Sequence, residues 1–319
     1  PVSKIPMPID WNYALAELRG RMKPSYTNGD GALGVNNGGK YSVDVTYIAA
    51  AEATGRVTVE PLHHVTDVER APDGRWRVHV DHIDTAGNVL EQKILTTGTL
   101  IMAAGSLNTT RLLVRAVAKG AIPGMPDGLG GNWGTNADRI YSWTCLDDDI
   151  EPVQGGPVIY GSLNWADPHK ATTVIQASMP PMGMDTRTTT LVGYGVSSAR
   201  GHFAYDARTD DALLHWPKEG DAAAQNGYIG PLVQRIAGTA GTLFDNNTVF
   251  PSTWHALGGA TMGTVCDLEG RVHGQRGLYV LDGALLPGNC AACNPSMTIA
   301  AVAERALDRL VTHDVGATI

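Results

Sequence analysis

Two short apolar strands, far apart in the chain and each delivered onto a helix, limit the fold more than any other feature. Gly277-Leu278-Tyr279-Val280-Leu281-Asp282-Gly283 reads as a strand ending in an acid-glycine pair, followed by the turn Ala284 to Gly288. Asn294-Pro295-Ser296-Met297 then opens an apolar-periodic helix from about Ser296 to Val311. A strand that carries Asp-Gly to a helix N-terminus brings backbone N–H groups to a place where an anion or a ring oxygen meets them. Earlier, Thr99-Leu100-Ile101-Met102-Ala103-Ala104 has the continuous apolar character of a buried, parallel-type strand. Gly105-Ser106 follows it and opens a helix to about Lys119.

Between and around these pieces the pattern is antiparallel. Arg56–Glu60, Val65–Arg70, Arg75–Ile83 and Val89–Leu95 read as strands joined by Pro72-Asp73-Gly74 and Ala86-Gly87-Asn88, a meander at about 56–104. Residues 1–50 read as irregular before a helix at Val43–Ala53, and residues 120–150 as loop. Strands Pro157–Trp165, Thr172–Met179, Thr188–Val196, His202–Tyr205 and Ala212–Trp216 precede a helix from Asp221 to Ala240. The predicted class is α/β (α+β). Residues 1–150 and 251–319 form parts of an incomplete doubly wound domain, with a mostly antiparallel β-sheet domain inserted at 151–250.

Composition removes several functions. The net charge is −8 and no Lys/Arg run occurs, so the basic stripe of a nucleic-acid binder is missing. No apolar stretch reaches the roughly 20 residues of a membrane span. Cys145, Cys266, Cys290 and Cys293 are too few for a disulfide framework. Cys290-Ala291-Ala292-Cys293 lacks a second pair for zinc, so no metal is expected; small residues packing in a loop, a redox disulfide and a reactive thiol stay open. Gly29-Asp30-Gly31-Ala32-Leu33-Gly34 satisfies G-x-G-x-x-G, but polar residues and Pro24 precede it and another turn follows. Without a strand before and a helix after, it is rejected as a dinucleotide site.

Several spaced motifs, in order, make the chain resemble the glucose–methanol–choline (GMC) flavoprotein oxidoreductases, most of all their cholesterol-oxidase branch. Asn36-Asn37-Gly38-Gly39-Lys40 with Ser42, Asp44 and Tyr47 is similar to N-x-G-x-x-S-x-D-x-x-Y. Ala103-Ala104-Gly105-Ser106-Leu107, with Thr110, Leu112 and Leu113, is similar to the G-A-G-S-L turn beside the flavin. His255-Ala256-Leu257-Gly258-Gly259 is similar to H-P-L-G-G, and the C-terminal strand, loop and helix to the family's closing signature. The resemblance implies a bound FAD, hydride transfer from an alcohol carbon to the flavin, and O2 as acceptor. By the same resemblance Val65 flanks the adenine, and Gly105, Asp282, Gly283 and the Asn294, Pro295, Ser296 and Met297 stretch lie along the cofactor.

Resemblance also makes His255 and Asn294 the catalytic pair over the flavin ring. An imidazole accepts a hydroxyl proton near neutral pH, and a carboxamide supplies a fixed donor to the oxygen. Most of the ten histidines are structural on this reading, His63 and His64 included. The substrate pocket is placed at Gln176, Met179 and Met182, with Met184, Trp165 and Trp216 adding apolar character, so an apolar, steroid-like or polycyclic alcohol is expected. Gln176 stands where steroid oxidases carry a glutamate base, which implies oxidation without double-bond isomerisation. The family's strand–glycine loop–helix for the FAD pyrophosphate is missing from the sequence. The expectation is therefore a separate N-terminal half of the same oxidase, from a cleaved or split chain. The alternatives are a GMC-fold subunit kept for binding or structure, and a flavin enzyme doing desaturation or C–N oxidation.

Overall fold

The structure is a computed structural model that describes residues 2–28, 30, 35, 38–151, 153–154, 158–178 and 187–319. Most of Gly29 to Gly34, together with Asn36, Asn37, Pro157, Met179, Pro180, Met182, Gly183 and Met184, lies outside the described residues.

Along the chain come β1 (Val2–Lys4), α1 (Trp11–Leu18) and a helical stretch of Asp44–Ile48 and Ala49–Glu52. Next are β2 (His63–Arg70), β3 (Trp76–Ile83), β4 (Val89–Thr97), β5 (Leu100–Met102) and α2 (Gly105–Ala118). Then follow β6 (Arg139–Cys145), β7 (Val158–Asn164), β8 (Thr172–Ala177), β9 (Thr188–Gly195), β10 (His202–Asp206) and β11 (Asp211–His215). The chain closes with α3 (Gly230–Ala237), β12 (Gly241–Asp245), β13 (Leu278–Val280) and α4 (Pro295–His313).

Two compact units result: residues 1–59, 137–196 and 224–252 in the first, and 60–136, 197–223 and 253–319 in the second. The first holds a six-stranded antiparallel sheet in the order β1-β7-β8-β9-β6-β12. Its strands alternate. Val174 and Leu191 face a core with Tyr141, Ile229 and Val233, while Ile175, Val192 and Tyr194 face the other way onto Ile5. These boundaries differ from 151–250, because β1 pairs with β7 (Val2 opposite Ser162) and draws the N-terminal stretch to this sheet.

The second unit carries the predicted meander, β2-β3-β4, and the hairpin β10-β11. Val68, Trp76, Val78 and Val80 put its inner face against Leu113 and Ala116 of α2. In the same core β5 and β13 form a parallel pair, Leu100 opposite Leu278 and Met102 opposite Val280. The two apolar strands singled out in the sequence are therefore neighbours.

Some elements differ from the expectations. Arg56–Glu60 forms no strand. Residues 1–50 contain β1 and α1, the latter capped by Asp10, whose side chain accepts from Asn12 N. The loop at 120–150 contains β6, and β12 follows directly on the predicted Asp221–Ala240 helix. That helix is interrupted: Gln225–Ile229 is a π-helical turn ahead of α3.

Candidate active site

Ligands of doubly wound sheets sit beyond the carboxyl ends of parallel strands, where helix N-termini converge. Here those ends belong to β5 and β13, and one carboxylate joins them. Asp282 Oδ2 accepts from Gly105 N at 2.9 Å and from Thr109 Oγ1 at 2.5 Å, and its Oδ1 accepts from Ala284 N at 2.8 Å. Burial pushes the Asp282 carboxyl up, while the bonds from Thr109, Ala284 and Gly105 pull it back. Its side chain is thus committed to holding the site together. Gly105 has φ +82 and opens α2; a Cβ built there would point into open space.

Beside that turn is a cavity of about 470 Å³ lined by His64, Val65, Ala104, Asn108, Leu112 and Arg115, with His63, Thr66 and Arg111. It joins the predicted Val65 to the start of α2 in one hollow, as a site for part of an elongated ligand requires. His63, on the cavity wall, also stacks on His82 across the strands with ring centroids 4.5 Å apart. A second cavity, of about 310 Å³, is lined by Glu269, Arg271, Arg305, Arg309 and His313 and contains none of the predicted site residues.

His255 is buried, and the segment after it is fastened on three sides. Leu257 exchanges backbone bonds with Gly134 at 2.8 and 3.0 Å. Gly258 N donates to Gly283 O, and Ala260 N to Ala284 O. Gly258 O accepts from Ser106 Oγ at 2.9 Å, which ties the segment to α2. The glycine pair is forced: Gly258 (φ +89) and Gly259 (φ +105) adopt a backbone that side chains disfavour. A Cβ on Gly258 would lie 2.2 Å from Asn132 O, and one on Gly259 2.0 Å from Thr110 Oγ1.

Asn294 occupies the N-cap position of α4, ahead of the buried Pro295. Its side chain makes no capping bond among the described residues, although asparagine is a preferred N-cap. The carboxamide is exposed, as are Ser296 and Met297 of the first turn. The first N–H groups of a helix have no partner within it, so this end offers donors to a bound molecule.

The sequence reading missed Asn136, which is fully buried. Its Nδ2 donates to Cys293 O at 2.9 Å and its Oδ1 accepts from Cys290 N at 2.8 Å, so it pins the loop that presents Asn294. Asn289 Nδ2 donates to Thr135 O at 2.9 Å on the same strip. Gly134, Thr135 and Asn136 thus carry both the His255 segment and the Asn294 loop. No property of a lone asparagine in a glycine-rich loop announces this role.

In the first unit, Gln176 lies on β8, where its Nε2 donates to Thr189 Oγ1 at 3.2 Å and to Ser178 Oγ at 3.3 Å. Its buried Oε1 has no hydrogen-bond partner among the described residues. Met179 and Met182 are outside the described residues. Among the described residues no group of three or more metal-ligating side chains occurs, and no helix is long and apolar enough to cross a membrane.

Residues 213–303 match the family model described as GMC oxidoreductase. The chain is 27% identical over 331 residues to a cholesterol oxidase of Mycobacterium tuberculosis, covering 86% of this chain and 56% of that protein. A cholesterol oxidase of Acinetobacter baumannii is 25% identical over 339 residues, with 86% and 59% covered. The chain therefore spans a little more than half the length of these relatives. Among solved structures, pyridoxine 4-oxidase from Mesorbium loti superposes with a TM-score of 0.61 at 16% identity, over 88% of this chain and 63% of that one. Formate oxidase gives 0.60 at 14%, over 81% and 61%. These superpositions establish a shared fold.

The glycine pair makes a direct prediction. Gly258→Ala and Gly259→Ala should each lower stability by about 3 kcal/mol, from a disfavoured φ together with overpacking. Denaturant unfolding measures this, and a midpoint unchanged from wild type would refute the fastening described above.

Proposed function

We propose that this chain forms the catalytic part of a FAD-dependent oxidase of the GMC type, acting on the CH–OH group of an apolar, steroid-like or polycyclic alcohol; the match of residues 213–303 to the GMC oxidoreductase model supports this reading. The observation that carries the reading is the strip Gly134-Thr135-Asn136, which holds the His255 segment on one side and the Asn294 loop on the other. Two residue types suited to an alcohol's hydroxyl are thereby mounted on one rigid support, in the unit that also contains the Gly105–Asp282 junction.

The cofactor fits what is present. The cavity at Val65 and Ala104 is roomy enough for the adenine end, and the open space over Gly105 lets a ligand approach the backbone closely. The exposed first turn of α4, with Ser296 and Met297, supplies N–H donors toward a ring or ribityl oxygen. Bound there, the flavin would supply the hydride acceptor. The chain's own part is to prepare the hydroxyl. The His255 imidazole takes the proton from the oxygen, and the Asn294 carboxamide donates to that oxygen, holding the carbon's hydrogen in line. The burial of His255 limits competition from water. In this reading O2 takes the electrons and is reduced to hydrogen peroxide.

The same reading assigns the cofactor's pyrophosphate to polypeptide outside these 319 residues. Support comes from apolar side chains left exposed in the second unit: Ile101 on β5, Leu107 on α2, and Met297, Leu307 and Val311 on α4. Exposed apolar surface of this kind marks an interaction face. Native mass spectrometry of the protein from its source should show a yellow species holding these 319 residues, further polypeptide and one FAD. A colourless single chain would instead favour a GMC-fold subunit kept for binding or structure.

Two further outcomes test the chemistry. His255→Ala should lower alcohol turnover by about 10²–10⁴-fold with the FAD content unchanged; turnover near wild type would move the chemistry elsewhere. With a 3-hydroxy-5-ene sterol as probe, Gln176 has no carboxylate to shuttle a proton, so the product should keep its double bond in place. A carbon-shifted enone would contradict that assignment.

A further inference from the structure

The Cys290-Ala291-Ala292-Cys293 motif has no part in the mechanism above, yet its surroundings are built. Both cysteines are free; Cys290 is half-buried and Cys293 exposed. Ala291 and Ala292 are the central residues of a turn, and Ala291 has φ +58, which folds the chain back between the two thiols. Such a turn keeps its end Cα atoms within about 7 Å, a limit that overlaps the roughly 4.4–6.8 Å that a disulfide spans. The turn is not left to itself. The buried Asn136 carboxamide holds its first residue by Cys290 N and its last by Cys293 O, and Asn289 Oδ1 accepts from Ala291 N at 2.6 Å.

We propose that Cys290 and Cys293 form a peroxide-oxidisable thiol pair, which closes to an intramolecular disulfide in the geometry that Asn136 already imposes. The two thiols have different parts. Cys293 is exposed, so peroxide reaches its sulfur first, and it lies one residue before the N-cap of the 19-residue α4. Burial pushes the Cys290 thiol up, against a hydrogen bond with Thr298, and the neighbouring Cys293 adds to the rise. Cys293 is thus the attacking sulfur and Cys290 the resolving one.

The Cys293 sulfur attacks one peroxide oxygen, the O–O bond breaks, and a sulfenic acid forms as the first water leaves. Cys290 then attacks Cys293 Sγ, the S–O bond breaks, and the departing hydroxide takes the Cys290 proton as the second water. Two thiols are oxidised to one disulfide and one hydrogen peroxide is reduced to two waters. The oxidant is of the class that an O2-using oxidase releases at this site, but thiol oxidation can be read independently of alcohol turnover. Since the closed turn leads straight into Asn294, the modification would report on the catalytic loop itself.

The full protein, reduced, freed of reductant and treated with hydrogen peroxide, is alkylated under denaturing conditions, digested with trypsin and analysed by mass spectrometry. The peptide 277–305 should lose the mass of two hydrogens, both its cysteines should escape alkylation, and Cys145 and Cys266 should stay alkylable. Dithiothreitol should reverse the change. In Cys290→Ser the same treatment should carry Cys293 to sulfenic and then sulfinic acid. Asn136→Ala should slow disulfide closure about tenfold, because the turn is released while the thiols' reactivity is kept. If that variant fails to fold, Asn136→Asp, which keeps the acceptor for Cys290 N and loses the donor to Cys293 O, should slow closure in the same direction. Cysteines 290 and 293 that stay alkylable after peroxide, or a disulfide that joins two molecules, would overturn the proposal. Closure at the wild-type rate in a folded Asn136 variant would overturn the role given to the carboxamide.

Discussion

A buried carboxylate is costly unless its lone pairs are met, and the second unit is organised around meeting those of Asp282. Gly105 N, Thr109 Oγ1 and Ala284 N, from two separate stretches of chain, converge on it. Thr109 Oγ1 also accepts from Ala104 N at 3.1 Å, so the turn into α2 and the end of β13 share one short network. The strands it joins are three residues long, too short for their ladder alone to fix the junction. Each donor offsets part of the desolvation of one acid, and the loss of any of them leaves charge or backbone unsatisfied. What depends on this tie is the placement of every element that ends nearby, because Gly258 is bonded both to Gly283 and to Ser106.

From that junction the site is assembled by backbone bonds together with a few buried side chains that bond to backbone. His255 is placed through Leu257 and Gly258, and Asn294 through the loop that Asn136 clamps. The result is a support whose geometry precedes any ligand, which is what orientation-based catalysis needs. It also explains why the support tolerates so little change. At Gly258 the neighbouring atom is the backbone Asn132 O, and at Gly259 it is Thr110 Oγ1, which is bonded to Ser106 O, so no flexible side-chain end is present to yield.

Much of this was legible in the residues, for identifiable reasons. Continuous apolar runs, Asp-Gly and Gly-Gly punctuation, and hairpin turns are local signals, and they located β5, β13, α2, α4 and the meander. What they could not express was partnership over distance. The three-residue β1 carries no pattern of its own and exists because β7 pairs with it. Arg139–Cys145 and Gly241–Asp245 pair with one another, and neither repeats clearly enough alone to be read as strand. The π-helical turn at Gln225–Ile229 keeps a helical composition while changing the bonding, which composition does not reveal. Among the site residues, His255 and Asn294 stood out through motif resemblance, whereas Asn136 acts through two bonds to residues more than 150 positions away.

The two units also differ in how they are held together. The supports of His255 and Asn294, backbone bonds and the Asn136 carboxamide, are all within the second unit. The first unit's sheet is built differently: its strands alternate strictly, Val174 and Leu191 to one side and Ile175 and Val192 to the other. In such a sheet a residue can be exchanged on one face while the ladder and the opposite face persist. Gln176 is one such position, held by hydroxyls of Thr189 and Ser178 with Oε1 left over. A carboxamide in place of a carboxylate there keeps a polar group of similar shape and removes its capacity to move a proton. The first unit's sheet and the second unit's clamp can therefore vary independently, because the two depend on different sets of bonds.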